Sequence, residues 1–106
     1  MNNNEQIIQK IVNVVNKTAP NSEVFLYGSR ARGDANKMSD WDVLVLMKKR
    51  KISFVDETNF MNAFYELELE TGEVLSPLIY AKHVWEEKYT HSPLFENIQR
   101  EGIRLL

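Results

Sequence analysis

Asp40 and Asp42 stand two residues apart, with Trp41 between them, directly before the apolar run Val43-Leu44-Val45-Leu46. Side chains alternate along a strand, so carboxylates two apart project from one face and can share one hard divalent cation. Magnesium favours such a pair when phosphate oxygens and water complete its shell. The plainer alternative is that Asp40 caps a turn and Asp42 sits at a solvated strand edge. Aspartate is a poor strand former and the residues that follow have buried character, so the chemical reading is preferred.

Upstream, the run Val24-Phe25-Leu26-Tyr27 stops at Gly28-Ser29, and ten residues separate this pair from Asp40. Gly28 lets the backbone pass close to a phosphate, while Ser29 offers a hydroxyl and an amide at the start of a helical turn. A Gly-Ser pair after a strand is by itself usually just a turn. Its weight comes from the aspartates, which lie beside it if the two strands are neighbours. Arg30 and Arg32 suit forked contacts with phosphate oxygens, and Arg30, closer to Ser29, is the one expected to touch phosphate. Arg32-Gly33-Asp34 spells a tripeptide known from extracellular adhesion, here taken as coincidence.

These residues need positioning elements. Ile7, Ile11, Val14 and Val15 carry helical spacing, widened by Ile8 and Val12, behind a capping Asn4, which predicts a first helix to about Lys17. Pro20 and Asn21 break it, and Glu23 to Tyr27 reads as a short buried strand. Ser29 is expected to cap a brief helical turn over Arg30 to Arg32, closed by Gly33-Asp34. A second strand starts at Asp40 and is apolar on both faces, as an interior strand is. Lys48 to Lys51 marks a solvated loop. Ser53 and Asp56 form a capping-box pattern for a helix that buries Phe60, Phe64 and Leu67, flanked by Met61, and ends near Thr71-Gly72.

Glu73 to Tyr80 reads as a third strand, which Pro77 assigns to a sheet edge or an irregularity. Lys82 to Lys88 reads as a short helix resting Val84 and Trp85 on the core. Ser92-Pro93 opens the last helix, with Leu94, Phe95 and Ile98 inward and Gly102 as the stop, before a tail or short strand over Ile103 to Leu106. The order predicts an α/β (α+β) fold, a small mixed sheet with helices packed against it.

Composition narrows the classes of function. At 106 residues, 43% hydrophobic and 26% charged, the chain is expected to form one soluble domain over residues 1–106. A net charge of −2 gives no global attraction to nucleic acid, so no strong nucleic-acid binding is expected. The absence of cysteine excludes disulfides, thiolate metal sites and a cysteine nucleophile. Neither a signal peptide nor a membrane-length apolar run is legible, and a cytoplasmic setting is expected. His83 and His91 lack ligand spacing and, with Trp41, Trp85 and the Phe60/Phe64 pair, are assigned structural roles.

Gly28-Ser29, ten residues, then Asp40-x-Asp42 heading an apolar strand resembles the signature of the nucleotidyltransferase superfamily related to DNA polymerase β. Gly28-Ser29-Arg30-Ala31-Arg32-Gly33 is similar to the small, minimal members of that group. The likeness is most specific over Phe25 to Leu46, and the element order is compatible throughout. It implies magnesium held by Asp40 and Asp42, which are then also the catalytic residues, and a nucleoside triphosphate held at Gly28, Ser29, Arg30 and Arg32. The implied reaction transfers a nucleotidyl group, AMP from ATP, to a hydroxyl of a macromolecular acceptor. Minimal members resemble the antitoxin half of toxin–antitoxin pairs whose partner is a helical HEPN-type ribonuclease.

Members of the superfamily usually carry a third carboxylate on a later strand. Alignment sets Ser76 in that place, and Glu73, three residues away, falls on the opposite face of a regular strand. Transfer by this chain is therefore expected to be slowed. The alternative is a module that keeps the fold, and the nucleotide, while acting on a partner by contact alone.

Overall fold

The computed structural model describes residues 3–106. The elements are α1 (Asn3–Thr18), β1 (Glu23–Tyr27), α2 (Ser29–Arg32), β2 (Trp41–Met47), α3 (Phe54–Thr71), β3 (Leu75–Ala81), α4 (Lys82–Lys88), α5 (Pro93–Glu101) and β4 (Ile103–Arg104). They build one mixed four-stranded sheet in the order β3-β2-β1-β4, in which β2 runs antiparallel to β1 and parallel to β3, and β4 lies antiparallel to β1. No described helix is long and apolar enough to cross a membrane.

Strand alternation divides the core between the two faces of the sheet. Val24 and Leu26 of β1 and Trp41, Val43, Val45 and Met47 of β2 pack beneath α1 and α3, which contribute Ile7, Ile11 and Val15 and Phe60, Phe64 and Leu67. The intervening residues Phe25, Leu44 and Leu46 meet Trp85 of α4 and Ile98 of α5, with Leu94 and Phe95 packed alongside. Because β2 is covered on both faces, its run of five buried residues from Val43 to Met47 follows from its interior position.

Several sequence expectations shift. Asn4 lies inside the first turn of α1 and does not cap it. Gly28 is the N-cap of α2 without a side-chain capping bond, and Ser29 is the first helical residue, so its hydroxyl is not spent on capping. The second strand begins at Trp41 and the third at Leu75, each later than the residue types suggest. Met61 is half exposed: α3 carries apolar residues on both faces, and only the Phe60-Phe64-Leu67 stripe meets the sheet. Gly102 ends α5 with extended backbone (φ −67°, ψ 142°) where a left-handed stop was expected. A side chain there is excluded by contact, since a Cβ would lie 2.4 Å from the Ile98 carbonyl oxygen that accepts the Gly102 N–H.

Pro77 does lie on an edge strand. Trp41 N–H donates to the Val74 carbonyl, so alternate residues from Val74 aim their backbone groups at β2, and Leu75, Pro77 and Ile79 aim theirs outward. Pro77 thus costs the ladder no bond, and the outward N–H of Leu75 is taken by the Glu68 carboxylate at 2.9 Å.

The capping box of α3 is complete. Ser53 Oγ accepts from Asp56 N–H at 3.0 Å and Asp56 Oδ2 accepts from Ser53 N–H at 3.0 Å. Lys49 Nζ lies 2.9 Å from the same carboxylate. Ser53→Ala is expected to cost about 1 kcal/mol in urea unfolding, within the range of about 0.5–2 for lost caps. The Ser53 N–H, with Lys49, holds the Asp56 carboxyl below its ordinary value. That contribution is therefore present at neutral pH and fades as pH falls through the depressed value.

Candidate active site

The site lies at the end of the sheet where β1 finishes and β2 begins. The register pairs Tyr27 with Asp42 and Asp42 with Ser76, so Tyr27, Asp42 and Ser76 stand in a row across three strands on the face covered by α4 and α5. Asp40, one step before β2, accepts a hydrogen bond from Ser76 Oγ at 3.0 Å. Asp40 and Asp42 therefore share a face, and the position across the ladder from Asp42 is held by a hydroxyl. Ser76 stands where the sequence set it.

Burial, the charge of Asp40 and, in opposition, the nearby Arg32 act on Asp42, and the balance raises its carboxyl above the ordinary value. Tyr27 is pushed up to about 12 by burial, by the charge of Asp42 and by Tyr80. Its phenol is thus fully protonated at neutral pH.

A carboxyl with a raised folded-state value binds its proton more tightly in the native than in the unfolded chain. It therefore lowers stability as pH climbs from the ordinary carboxylate value through the raised one. Asp42→Asn is expected to raise the melting temperature in chelator-treated buffer at pH 7, and the gain should shrink as pH falls toward 4. Melting curves at several pH values check both parts.

Gly28 makes the close approach possible. Its backbone sits at φ 72°, ψ −159°, a region that essentially only glycine occupies, and a Cβ placed there would lie 2.2 Å from Asp42 Oδ2. The turn is pressed against the second aspartate, with α2 starting at the next residue. Ala31 N–H and Arg32 N–H both donate to the Gly28 carbonyl at 3.0 Å, which closes α2 back on the turn.

The two arginines behave differently. Arg30 is turned away from the aspartates: its guanidinium lies 4.6 Å from the centre of the Trp41 ring, donates from Nη2 to the Ser39 carbonyl at 3.0 Å and pairs with Glu73 at 3.6 Å. Trp41 completes this cluster by donating from Nε1 to Glu73 Oε2 at 3.3 Å. Trp41 and Asp42 alternate, so the cluster sits on the opposite face of β2, and Glu73 is separated from the aspartate face as its odd offset requires. Arg30 and Glu73 thus fasten the loop between α2 and β2.

Arg32 is the more open of the pair, with 46% of its side chain exposed against 9% for Arg30. It donates from Nε to Asp34 Oδ2 at 3.2 Å and from Nη1 to Glu101 Oε1 at 3.2 Å. Glu101 also accepts from Gly28 N–H at 3.3 Å. Sequence reasoning missed Glu101 and Tyr27. Tyr27 follows once the antiparallel register is known, whereas Glu101 lies seventy-three residues from Gly28 with no local pattern to mark it. His83 contacts the Arg50 carbonyl and has no part in the site.

Among the described residues, no three His, Cys, Asp or Glu side chains converge as a metal cage. The available donors are two carboxylates and the Ser76 hydroxyl. That set suits magnesium, which binds through one or two carboxylates and leaves positions for phosphate and water, better than a metal requiring a full protein shell. The repulsion between Asp40 and Asp42 is the charge that such an ion would offset.

The family model for the nucleotidyltransferase domain matches residues 8–105. A crystal structure of a toxin–antitoxin with AMP-PNP superposes with a TM-score of 0.69 at 17% identity, over 93% of this chain and 72% of the other. A structure described as a minimal nucleotidyltransferase gives 0.60 at 23% identity, over 93% of this chain and 89% of the other. No curated protein matches the sequence. With the match running through nearly every element, from α1 to the residue after β4, the chain belongs to the nucleotidyltransferase domain family.

Proposed function

We propose that this protein transfers AMP from ATP to a hydroxyl of a protein partner, a helical HEPN-type toxin, and so acts as the antitoxin of the pair. The observation that carries the reading is the contact between the Gly28 turn and Asp42. It puts a glycine turn able to receive phosphates against a carboxylate pair able to receive magnesium. The neighbouring fold seen in a toxin–antitoxin with AMP-PNP supports the choice of nucleotide and of partner. A donor such as ATP also fits a cytoplasmic setting.

In this reading Asp40 and Asp42 hold the ion, while Ser29 and Arg32 contact the phosphates. Arg32 replaces Arg30 as the phosphate-facing arginine because its guanidinium lies on the aspartate side and is solvent-accessible. The acceptor oxygen forms a bond to the α-phosphorus as the bond to pyrophosphate breaks. Magnesium held there would supply charge neutralisation on the phosphates and help orient the α-phosphate for in-line attack. The hydroxyl proton leaves to solvent, because Ser76 opposite Asp42 is no base at neutral pH.

The same serine favours a second reading, in which the chain binds nucleotide and partner without transfer. One experiment separates them. The protein is mixed with magnesium, ATP and a small helical partner, drawn from an adjoining reading frame where that frame encodes one, and the partner's mass is measured. A gain of one AMP that disappears with Asp42→Asn supports the enzyme. A tight complex of unchanged mass, indifferent to that substitution, supports the binding module.

A further inference from the structure

Glu101 is the last residue of α5, and the chain then turns through Gly102 into β4. The register of β4 on β1 pairs Ile103 with Leu26 and Arg104 with Phe25. Continuing that register by two residues brings Glu101 opposite Gly28. The carboxylate uses this placement in two ways: Oε1 accepts from Gly28 N–H at 3.3 Å, and Oε1 and Oε2 accept from Arg32 Nη1 at 3.2 and 3.4 Å. Its side chain is only 17% exposed. Gly28 is therefore held from two sides, by Asp42 against its α-carbon and by Glu101 on its amide.

We infer that Glu101 is the positioning residue of the nucleotide site, fixing the Gly28 turn and orienting the Arg32 guanidinium for the phosphates. The inference rests on the functional reading above and deepens it. Glycine is the residue with the most conformational freedom, and its strained setting here persists only if the surroundings hold it. Arg32 has a long, flexible side chain, and tethering between Glu101 and Asp34 removes rotamer freedom before a ligand arrives. The hydrogen bonds to Gly28 and Arg32 need an acceptor oxygen at the reach of a five-carbon acid or its amide. The negative charge is the secondary requirement.

An opposite role is chemically conceivable, in which the carboxylate occupies donors that a phosphate needs, and the two roles differ in sign. Affinity for magnesium AMP-PNP is measured by calorimetry for wild type, Glu101→Ala, Glu101→Gln and Glu101→Asp, with melting temperature and amide exchange at Gly28 as parallel readouts. Ala and Asp are expected to weaken binding about tenfold and to speed Gly28 exchange, since each loses an acceptor at the required reach. Gln keeps that oxygen and is expected to stay within about threefold of wild type.

Tighter binding in the Ala variant overturns the inference in favour of competition. A lower melting temperature with unchanged affinity overturns it in favour of a purely structural contact. Asp behaving as wild type while Gln fails overturns the claim that reach outweighs charge. A wild-type chain that binds no nucleotide brings down the functional reading, and this inference with it. Wild-type binding that Glu101→Ala leaves untouched overturns this inference alone.

Discussion

Gly28→Ala is expected to lose binding of magnesium ATP altogether while remaining folded. The backbone conformation at Gly28 disfavours any side chain by about 1–3 kcal/mol. For a domain of this size, each kcal/mol lowers the melting temperature by roughly 4–8 °C. The larger consequence is local, because the new methyl group would fall 2.2 Å from Asp42 Oδ2 and must push that carboxylate off the face it shares with Asp40. Gly72→Ala is the matched control: Gly72 also has positive φ, 74°, but nothing lies within 4 Å of its added Cβ. Its left-handed backbone (ψ 5°) tolerates a side chain better than that of Gly28, so it should show a smaller loss of stability, with nucleotide binding intact. Thermal shifts with and without magnesium ATP distinguish the two, and a Gly28→Ala protein that still responds to nucleotide would show that the turn does not form the site.

Ser76→Asp is expected to change behaviour in the other direction. The residue pairs with Asp42 and already reaches Asp40, so an aspartate there completes three carboxylates on one face. Without metal, three like charges repel, and the variant should melt below wild type. Magnesium should reverse the order and give the variant the larger stabilisation, because the ion binds only the folded arrangement. With a base now facing the acceptor, transfer should rise by about 10²–10⁴, the usual worth of general base catalysis. Initial rates of AMP incorporation into the partner check this. An unchanged rate with a restored magnesium response would mean that proton removal does not limit transfer.

Much of the scaffold was legible because periodicity is a local signal. The α1 stripe, the five-residue β1, the capping box of α3 and the proline start of α5 all declare themselves within a few residues, and the family likeness added the expectation of a mixed sheet, though not its strand order. The approach of Gly28 to Asp42 was readable only on the condition that β1 and β2 are neighbours, and Ser76 was set opposite the aspartates by the family likeness rather than by strand alternation. What resisted reading depends on distant partners. Arg30 and Arg32 are two apart in one loop and chemically identical. Only the position of the Trp41 ring and Glu73 decides that Arg30 turns inward. Met61 looked buried because α3 is apolar on two faces, and the sheet selects one. Glu101 joins the site only after β4 is paired with β1, and a two-residue strand leaves almost no trace in sequence.

The edge strand β3 carries a consequence for how copies of this protein meet at high concentration. A strand adding to that border would seek N–H donors at alternate positions, but Pro77 has none and the one at Leu75 is already taken by Glu68. Ile79 is left as a lone interior donor, too little to template cross-β growth. Concentrated or refolding samples should therefore resist fibril formation from this border, and freeing it would take both Glu68→Ala and Pro77→Val, since either block alone interrupts the seam.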